Sequence, residues 1–278
     1  MKEDNSDLFL KADGLSVKCD GAGKIFIYST LSPEANLDEL RWRENIQFSG
    51  DDRYNDLGKW KRIYSDGRFD MLDHVAKSMD YCGDILEIGA GSGWMSAKLS
   101  LLKDVRSVYA LDFSLSTLEW NFPKICEWIG GDKKKIHRVR GDFHVLPFRD
   151  SCFDFVVGDA VLHHSDKPGA VLRECARVLK KGGRMIFTSE PIASKWRVKS
   201  QKKNFAATDR AKGITENIFT RDEWAGFFSS AGLRYEFKPY IFTENSSKLV
   251  NFLKRNPPLR FFHGLLFSNY IFILKRQD

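Results

Sequence analysis

The chain has 278 residues, of which 42% are hydrophobic and 29% are charged, a composition typical of a soluble globular protein with a sizeable core. Its formal net charge is +7 and its pI is about 9.1. This mildly basic balance is compatible with a nucleic acid, an anionic membrane or a phosphorylated substrate, and it does not choose among them. A role in solubility alone explains it equally well.

The five cysteines are scattered, and no two of them have metal-ligand spacing. Neither a disulfide framework nor a zinc site is therefore predicted, and we expect no other metal site. The polar, acidic N-terminus argues against a signal peptide. No apolar run reaches the roughly 18 residues that cross a bilayer, so no transmembrane segment is predicted. These features together favour a reducing, cytoplasmic location.

Residues 1–67 are predicted to form an N-terminal hairpin and a helical, aromatic-rich cover. Short strand patterns at 15–17 and 24–28 flank a glycine-containing turn, which is typical of a hairpin. The stretch that follows is rich in charge, and its aromatic residues have irregular spacing, so we expect it to pack over a core or a ligand. These aromatic residues are Trp42, Phe48, Tyr54, Trp60 and Tyr64.

Residues 68–278 are predicted to form the main domain, because strand and helix patterns alternate along most of it. The strands are predicted over 84–88, 105–111, 136–140, 153–158 and 184–189, and the helices over 69–79, 94–102, 114–129 and 168–179. A capping signature at 220–223 predicts a helix to residue 231, followed by terminal strands at 233–242 and 270–274. Such alternation predicts an α/β fold whose sheet is mostly parallel, with helices on both faces.

Residues at about 190–218 interrupt this alternation and are predicted to form a basic lid. They include Lys195, Arg197, Lys202 and Lys203. A solvated basic loop without a ligand explains the same charges. Glu216 and Asn217, just after the lid, are candidates for the wall of a pocket.

The central motif lies at residues 84–94, where an apolar strand pattern breaks into alternating glycines and a helical pattern follows. A strand, a glycine turn and a helix N-terminus bring backbone N–H groups together, where a polar ligand can approach closely. A dinucleotide-binding turn has its third glycine at the sixth position. Counting from Gly89 or Gly91, that position holds Trp94 or Ser96, which argues against a nicotinamide or flavin site.

Acidic residues accompany this turn at the ends of the neighbouring strands. Glu87 precedes the turn, and Asp112 ends the next strand, where a carboxylate can accept both hydroxyls of a ribose. Asp142 lies between Gly141 and Phe143 after the third strand. An aspartate there can accept from an exocyclic amine, while the aromatic ring covers a purine.

In this order the motifs resemble those of the class I S-adenosylmethionine-dependent methyltransferases, particularly the branch that includes quinone-biosynthesis, sugar and natural-product enzymes. The resemblance spans about residues 68–235 and rests on 86–93, Asp112, Asp142 with Phe143, 154–164 and 177–183. It implies a Rossmann-like sheet of seven strands, mostly parallel, with one antiparallel strand near the C-terminus.

The resemblance also implies S-adenosyl-L-methionine as the cofactor. The residues that would bind it are Glu87, Gly89, Ala90, Gly91, Gly93, Asp112, Phe113, Gly141, Asp142, Phe143, Asp159 and Ala160. His163 and His164 follow the fourth strand, close to the expected methyl position. Either histidine is a candidate base for a hydroxyl acceptor, and hydrogen bonding within the fold is the alternative for both.

The expected function is methyl transfer to a hydroxyl or amine of a sugar, a nucleotide-linked compound or a natural product. An anionic or phosphorylated acceptor would suit the basic lid. A tRNA methyltransferase and a non-catalytic cofactor-binding protein are the alternatives. Nucleic acid is disfavoured, because no RNA-binding module is recognised and the basic residues form no single stripe. The apolar stretch 259–274 is expected to be a packed loop and a buried strand, with lipid contact as the alternative. The oligomeric state stays open.

Overall fold

The computed structural model describes residues 15–28, 31, 57–58, 61, 64, 68–194, 196, 198–204, 215–239 and 269–276. Its strands are β1 (Leu15–Asp20), β2 (Gly23–Tyr28), β3 (Gly83–Ile88), β4 (Val105–Asp112), β5 (Ile136–Arg140), β6 (Phe153–Asp159), β7 (Leu179–Ala193), β8 (Phe219–Thr220), β9 (Leu233–Pro239) and β10 (Asn269–Arg276). Its helices are α1 (Phe69–Met79), α2 (Trp94–Ser100), α3 (Phe122–Ile129), α4 (Pro168–Val178) and α5 (Arg221–Ser230). Four of the predicted cover aromatics and most of the stretch 259–274 lie outside the described residues.

One sheet organises the molecule, with the strand order β1-β2-β5-β4-β3-β6-β7-β10-β9 and with β8 beside β7. Five strands that are adjacent in the sheet are parallel to one another: β5, β4, β3, β6 and β7. Strand β10 is antiparallel to both of its neighbours, β7 and β9. Within the described residues, this part of the sheet confirms the predicted mostly parallel arrangement with an antiparallel strand near the C-terminus. It consists of β5, β4, β3, β6, β7, β10 and β9.

The strand order reverses beside β3, and this reversal positions the site. From β3 the chain moves outward through β4 to β5, then returns to β6 on the other side of β3. Such a switch opens a crevice beyond the carboxyl ends of the strands, where open α/β sheets bind their ligands. The glycine turn follows β3 directly and therefore lies at this switch.

The central strands are buried on both faces, as parallel strands covered by helices must be. Ile85 and Leu86 are adjacent in β3 and point to opposite faces, yet both are fully buried. Leu86 packs with Tyr109 in the core on one face, while Ile85 packs with Val108 and Met71 of α1 on the other. This double cover holds the ends of β3 and β4 firmly under the site.

Two boundaries differ from the sequence prediction. The predicted helix over 114–129 begins as expected at Ser114, whose Oγ accepts a hydrogen bond from the Thr117 N–H at 3.3 Å. A π-helical turn, Thr117–Asn121, then precedes α3. Pro123 lies in the first turn of α3 and has no N–H for the preceding helical ladder, which accounts for the interruption.

Strand β7 is longer at both ends than the predicted strand 184–189. It includes residues 180–183, which were predicted to end a helix, and residues 190–193, which were predicted to begin the lid. Pairing with β6 begins at Leu179 and resumes at Arg184, β10 pairs as far as Pro191, and β8 pairs with Ile192 and Ala193. Glu190 is therefore fully buried within this strand, and the predicted lid at about 190–218 overlaps the strand at its first four residues.

The N-terminal hairpin is continuous with the sheet, because β2 pairs in parallel with β5. Arg138 of β5 is buried and donates two hydrogen bonds to the Asp20 carboxylate, at 2.6 and 2.8 Å. This ion pair fixes the end of β1 to the body of the sheet. Among the described helices, none has both the length and the apolar content needed to cross a bilayer.

Candidate cofactor site

The glycine turn after β3 has a backbone that side chains rarely tolerate. Gly89, Gly91 and Gly93 have φ values of +61°, +50° and +76°. A Cβ at Gly89 would lie 2.3 Å from Val161, and one at Gly93 would lie 2.2 Å from the Phe122 ring. A Cβ at Gly91 would meet only the Gly89 carbonyl, at 3.9 Å. The outer two glycines therefore allow close packing, while the middle one leaves open space above the turn.

Glu87 lies beneath this turn and is almost completely buried. The hydroxyl of Ser96, in α2, donates a hydrogen bond to its Oε2. Burial raises the pKa of Glu87 to about 8, although the bond from Ser96 opposes this effect. The side chain is therefore largely a neutral acid at pH 7 in the absence of a nearby cation.

Asp112 connects the end of β4 to the glycine turn. Its Oδ2 accepts a hydrogen bond from the Gly91 N–H at 2.8 Å, and its Oδ1 accepts one from the Ser114 N–H, also at 2.8 Å. The side chain is buried and holds the glycine turn in place, and it lies beside the open space above Gly91. Each carboxylate oxygen accepts more than one hydrogen bond, so these bonds leave capacity for a ligand hydroxyl. Phe113, the next residue, is partly buried.

Asp142 lies just beyond β5 and is held by a histidine that the sequence analysis did not select. Its Oδ1 accepts from the His144 backbone N–H and bonds His144 Nδ1, both at 2.8 Å. His144 Nε2 lies 2.9 Å from Ser165 Oγ, beyond β6. The neighbouring Gly141 donates its N–H to the Asp112 carbonyl at 3.0 Å. The predicted adenine corner is thus linked to the end of β4 and to the segment that follows β6, with Phe143 partly buried beside it.

Asp159 ends β6 and forms an ion pair with Arg68, which immediately precedes α1. Thr188 of β7 donates its hydroxyl to Asp159 Oδ1 at 2.8 Å. Ala160 follows with φ +53°, and its N–H bonds the Thr188 carbonyl at 2.8 Å. Arg68 was missed from the sequence because it belongs to no motif, and only the fold brings it to this corner.

One predicted cover aromatic lies within the described residues, and it reaches the glycine turn. Tyr64 is buried, and its hydroxyl is hydrogen-bonded to Ser92 Oγ within the turn. Its ring stacks on Trp94 with the centroids 5.6 Å apart. Burial raises the pKa of Tyr64 to about 12, so its hydroxyl keeps its proton. The N-terminal segment therefore contributes one wall of the site.

The two predicted catalytic histidines lie in a 3-10 turn, Leu162–His164, directly after β6. His163 Nδ1 lies 2.9 Å from Glu190 Oε2, and its Nε2 lies 3.5 Å from Glu216 Oε2. Burial lowers the pKa of His163, but the two carboxylates outweigh this effect and the net shift is upward. Burial and the charge of His163 lower the pKa of His164, whose Nδ1 bonds the Thr215 carbonyl at 2.6 Å.

Four carboxylic side chains thus surround the turn, at the carboxyl ends of four neighbouring strands: Glu87, Asp112, Asp142 and Asp159. Such a lining disfavours a phosphate ligand by like-charge repulsion. It suits a ligand with hydroxyl and amine donors and a net positive charge. The donors of S-adenosylmethionine are a ribose, an adenine amine and an ammonium group, and its sulfonium is a cation, so the side chains present fit it.

A family model described as a methyltransferase domain matches residues 86–187. This range includes the glycine turn, all four of these carboxylic side chains and both histidines. Residues 86–187 are thus similar to methyltransferase domains. The domain and its relatives imply S-adenosylmethionine as the cofactor, in agreement with the sequence prediction.

Individual relatives support the same assignment. The malonyl-[acyl-carrier protein] O-methyltransferase of Legionella pneumophila is 33% identical over 105 residues, which are 38% of this chain and 35% of that protein. The demethylmenaquinone methyltransferase of Mycobacterium marinum is 30% identical over 141 residues, covering 45% of this chain and 60% of the relative. The matches therefore span less than two thirds of either relative.

The fold of the domain is also that of solved methyltransferase structures. A chain of the Haloferax volcanii complex between the Trm112 methyltransferase activator and a methyltransferase superposes with a TM-score of 0.61. The superposition covers 84% of this chain and 98% of that chain, at 18% sequence identity. At this identity the likeness concerns the fold alone.

Proposed function

We propose that the protein transfers the methyl group of S-adenosylmethionine to a hydroxyl or amine of a small-molecule acceptor. The observation that carries this proposal is the set of carboxylic side chains around an open glycine turn. Asp112 keeps hydrogen-bond acceptor capacity beside this turn, which a ligand hydroxyl can use. The names of the two curated relatives specify different acceptors, so they support methyl transfer without identifying the substrate.

Each side chain has a proposed part in holding the cofactor. Asp112 would accept from the ribose hydroxyls, and Asp142, with Phe143, would bind the adenine. Glu87 and Asp159 would face the cationic methionine end, and the open side of the turn would admit its backbone. When bound, S-adenosylmethionine supplies an activated methyl group on a sulfonium. The protein must then mainly orient the acceptor atom and exclude water.

We propose that His163 and His164 lie on the acceptor side of the site. Val161 packs against Gly89, so the turn that carries both histidines begins in contact with the glycine turn. His144 and Ser165 join this turn to the adenine corner. Substituting His164, which is partly exposed, should therefore lower kcat more than it weakens cofactor binding.

Calorimetric titration of the full chain with S-adenosylmethionine and S-adenosylhomocysteine tests the cofactor part of the proposal. We expect saturable 1:1 binding, with at least a tenfold loss of affinity in Asp112→Ala. The matched control is Asp150→Asn, since the Asp150 side chain is 73% exposed and pairs with Arg177 on the surface. Absence of binding by the unmodified chain, or equal losses in both variants, would contradict the proposal.

The acceptor is tested by incubating the chain with radiolabelled S-adenosylmethionine and either a fractionated metabolite extract or purified tRNA. We expect label in a small-molecule fraction. Label in tRNA, with binding that weakens steeply as salt increases, would instead favour the RNA methyltransferase alternative. Binding of the cofactor without any transfer would favour the non-catalytic alternative.

A further inference from the structure

A second group of ligand-type side chains lies beside the proposed acceptor side: His163, His164 and Glu216. A ring nitrogen from each histidine and a carboxylate oxygen of Glu216 lie within 4.8 Å of one another. His163 Nε2 and Glu216 Oε2 are 3.5 Å apart, longer than an ordinary hydrogen bond between these groups. Zinc bonds of about 2.0–2.1 Å at tetrahedral angles place two ligand atoms roughly 3.4 Å apart. The distance between His163 and Glu216 is therefore close to that between two ligands of one metal ion, and His164 lies within reach of both.

The orientation of both rings agrees with metal ligation. Each histidine has its Nδ1 bound to an oxygen, Glu190 Oε2 for His163 and the Thr215 carbonyl for His164. A histidine whose Nδ1–H donates to a carboxylate or a carbonyl has its ring orientation fixed, and a metal ion can take the place of any proton on its Nε2. Metal-bound histidines in proteins almost always have such an oxygen partner.

The backbone around these side chains is held in place before any ion binds. Glu190 is fully buried, and its Oε1 accepts hydrogen bonds from the Val161 and Leu162 N–H groups, each at 2.8 Å. The segment that carries Glu216 is fixed to the histidine turn, because the Asn217 N–H donates to the His163 carbonyl at 3.0 Å. The three side chains therefore need only small rotations to share one ion.

We propose that His163, His164 and Glu216 form a binding site for a divalent transition-metal ion of the zinc or iron(II) type. Two imidazoles and one carboxylate are ligands that these ions accept while keeping at least one position open. Magnesium and calcium prefer sites made of oxygen atoms. His164 is partly exposed, which gives an ion access from the crevice. The sequence analysis predicted no metal site, because Glu216 is distant from the histidines along the chain.

The test uses the tag-free full chain after removal of metals with a chelator. It is titrated with Zn²⁺ against a chromophoric indicator, and with Co²⁺ while the visible absorption is recorded. We expect one equivalent of Zn²⁺ bound with micromolar or tighter affinity, Co²⁺ bands in the visible region, and a higher Tm with Zn²⁺. Neither measurement contains cofactor or acceptor, so the result is independent of the proposed function.

Glu216→Gln keeps the shape of the side chain but removes its negative charge, and should weaken Zn²⁺ binding at least tenfold. His164→Gln, at a partly exposed position, should have a similar effect and protects the test if the first variant fails to fold. His137→Gln is the matched control, because His137 lies on β5 and stacks on Tyr109 at 4.7 Å. Less than one equivalent of Zn²⁺ on the unmodified chain, or equal affinity in all three variants, would overturn the proposal.

Discussion

Gly89 links the glycine turn to the rest of the site through a single close contact. Its φ is +61°, so an alanine here would have a strained backbone. The alanine Cβ would also lie 2.3 Å from Val161 and would push the histidine turn away. We expect Gly89→Ala to lower the free energy of unfolding by about 2–3 kcal/mol and to abolish cofactor binding. Denaturant unfolding and calorimetry measure these two effects.

Gly226 in α5 provides the control for Gly89, since a Cβ there would meet no atom within 4 Å. Gly226→Ala should stabilise the protein by about 1 kcal/mol, because alanine is the better helix former. A Gly89→Ala variant as stable as the unmodified chain would show that the turn is less tightly packed than described.

Glu87 is expected to make stability depend on pH. Its pKa is about 8 in the folded protein, above the ordinary value of 4.5. Between these values the unfolded chain loses the proton while the folded chain keeps it, so the stabilising contribution present below pH 4.5 is lost as pH rises towards 8. The free energy of unfolding of the unmodified chain should therefore fall between pH 5 and pH 8. The fall in Glu87→Gln should be smaller by at least about 1 kcal/mol.

Urea unfolding of both proteins at these two pH values measures this effect. Subtracting the pH dependence of the variant from that of the unmodified chain cancels the contributions of the other titrating groups. Identical pH dependence would mean that Glu87 is ionised in the folded protein. In that case Ser96 and the turn must stabilise its charge more than its burial opposes it.

At the level of elements, the capping signature at the start of α5 is present as a reciprocal pair of hydrogen bonds. The Glu223 N–H donates to Thr220 Oγ1 at 3.2 Å, and the Thr220 N–H donates to Glu223 Oε2 at 2.7 Å. Thr220→Ala removes the first of these and should cost about 1 kcal/mol, while Thr220→Ser should cost much less. Thermal unfolding of the two variants separates a capping effect from the loss of a methyl group.

Elements with a complete local signal were predicted well from the sequence. The bounds of α1 and β5 agree with the apolar periodicity, and α5 begins at its cap. The ends of β7 were not predictable, because residues 180–183 have the local chemistry of a helix stop. These residues lie between Leu179 and Arg184, which both pair with β6, so a strand distant along the chain holds this segment in place.

The same division applies to the site. The glycine turn and the acidic residues at strand ends were selected because each follows a recognisable strand. Arg68, His144 and Glu190 were not selected, since each acts through a partner that only the tertiary fold provides. Local patterns therefore predict which residues line the ligand site. The residues that orient those side chains are found only from long-range contacts in the fold.

At the scale of the whole molecule, the Asp20–Arg138 pair connects the hairpin with the sheet. Arg138 is buried, and its guanidinium keeps the pKa of Asp20 below its ordinary value. Asp20→Ala would leave a buried cation without this partner and should destabilise the protein by about 2–4 kcal/mol. Lys18→Ala, which removes the half-exposed Lys18 from its pair with Glu119, is the control and should cost less than about 1 kcal/mol.

The parallel pairing of β2 with β5 also has a consequence for synthesis on the ribosome. The hairpin is made first, but its partner strand begins only at Ile136. Until that strand emerges, the inner edge of β2 has unpaired N–H and C=O groups, a state open to pairing with other chains. Nascent chains arrested before residue 136 should therefore be more prone to aggregation than those arrested after residue 140.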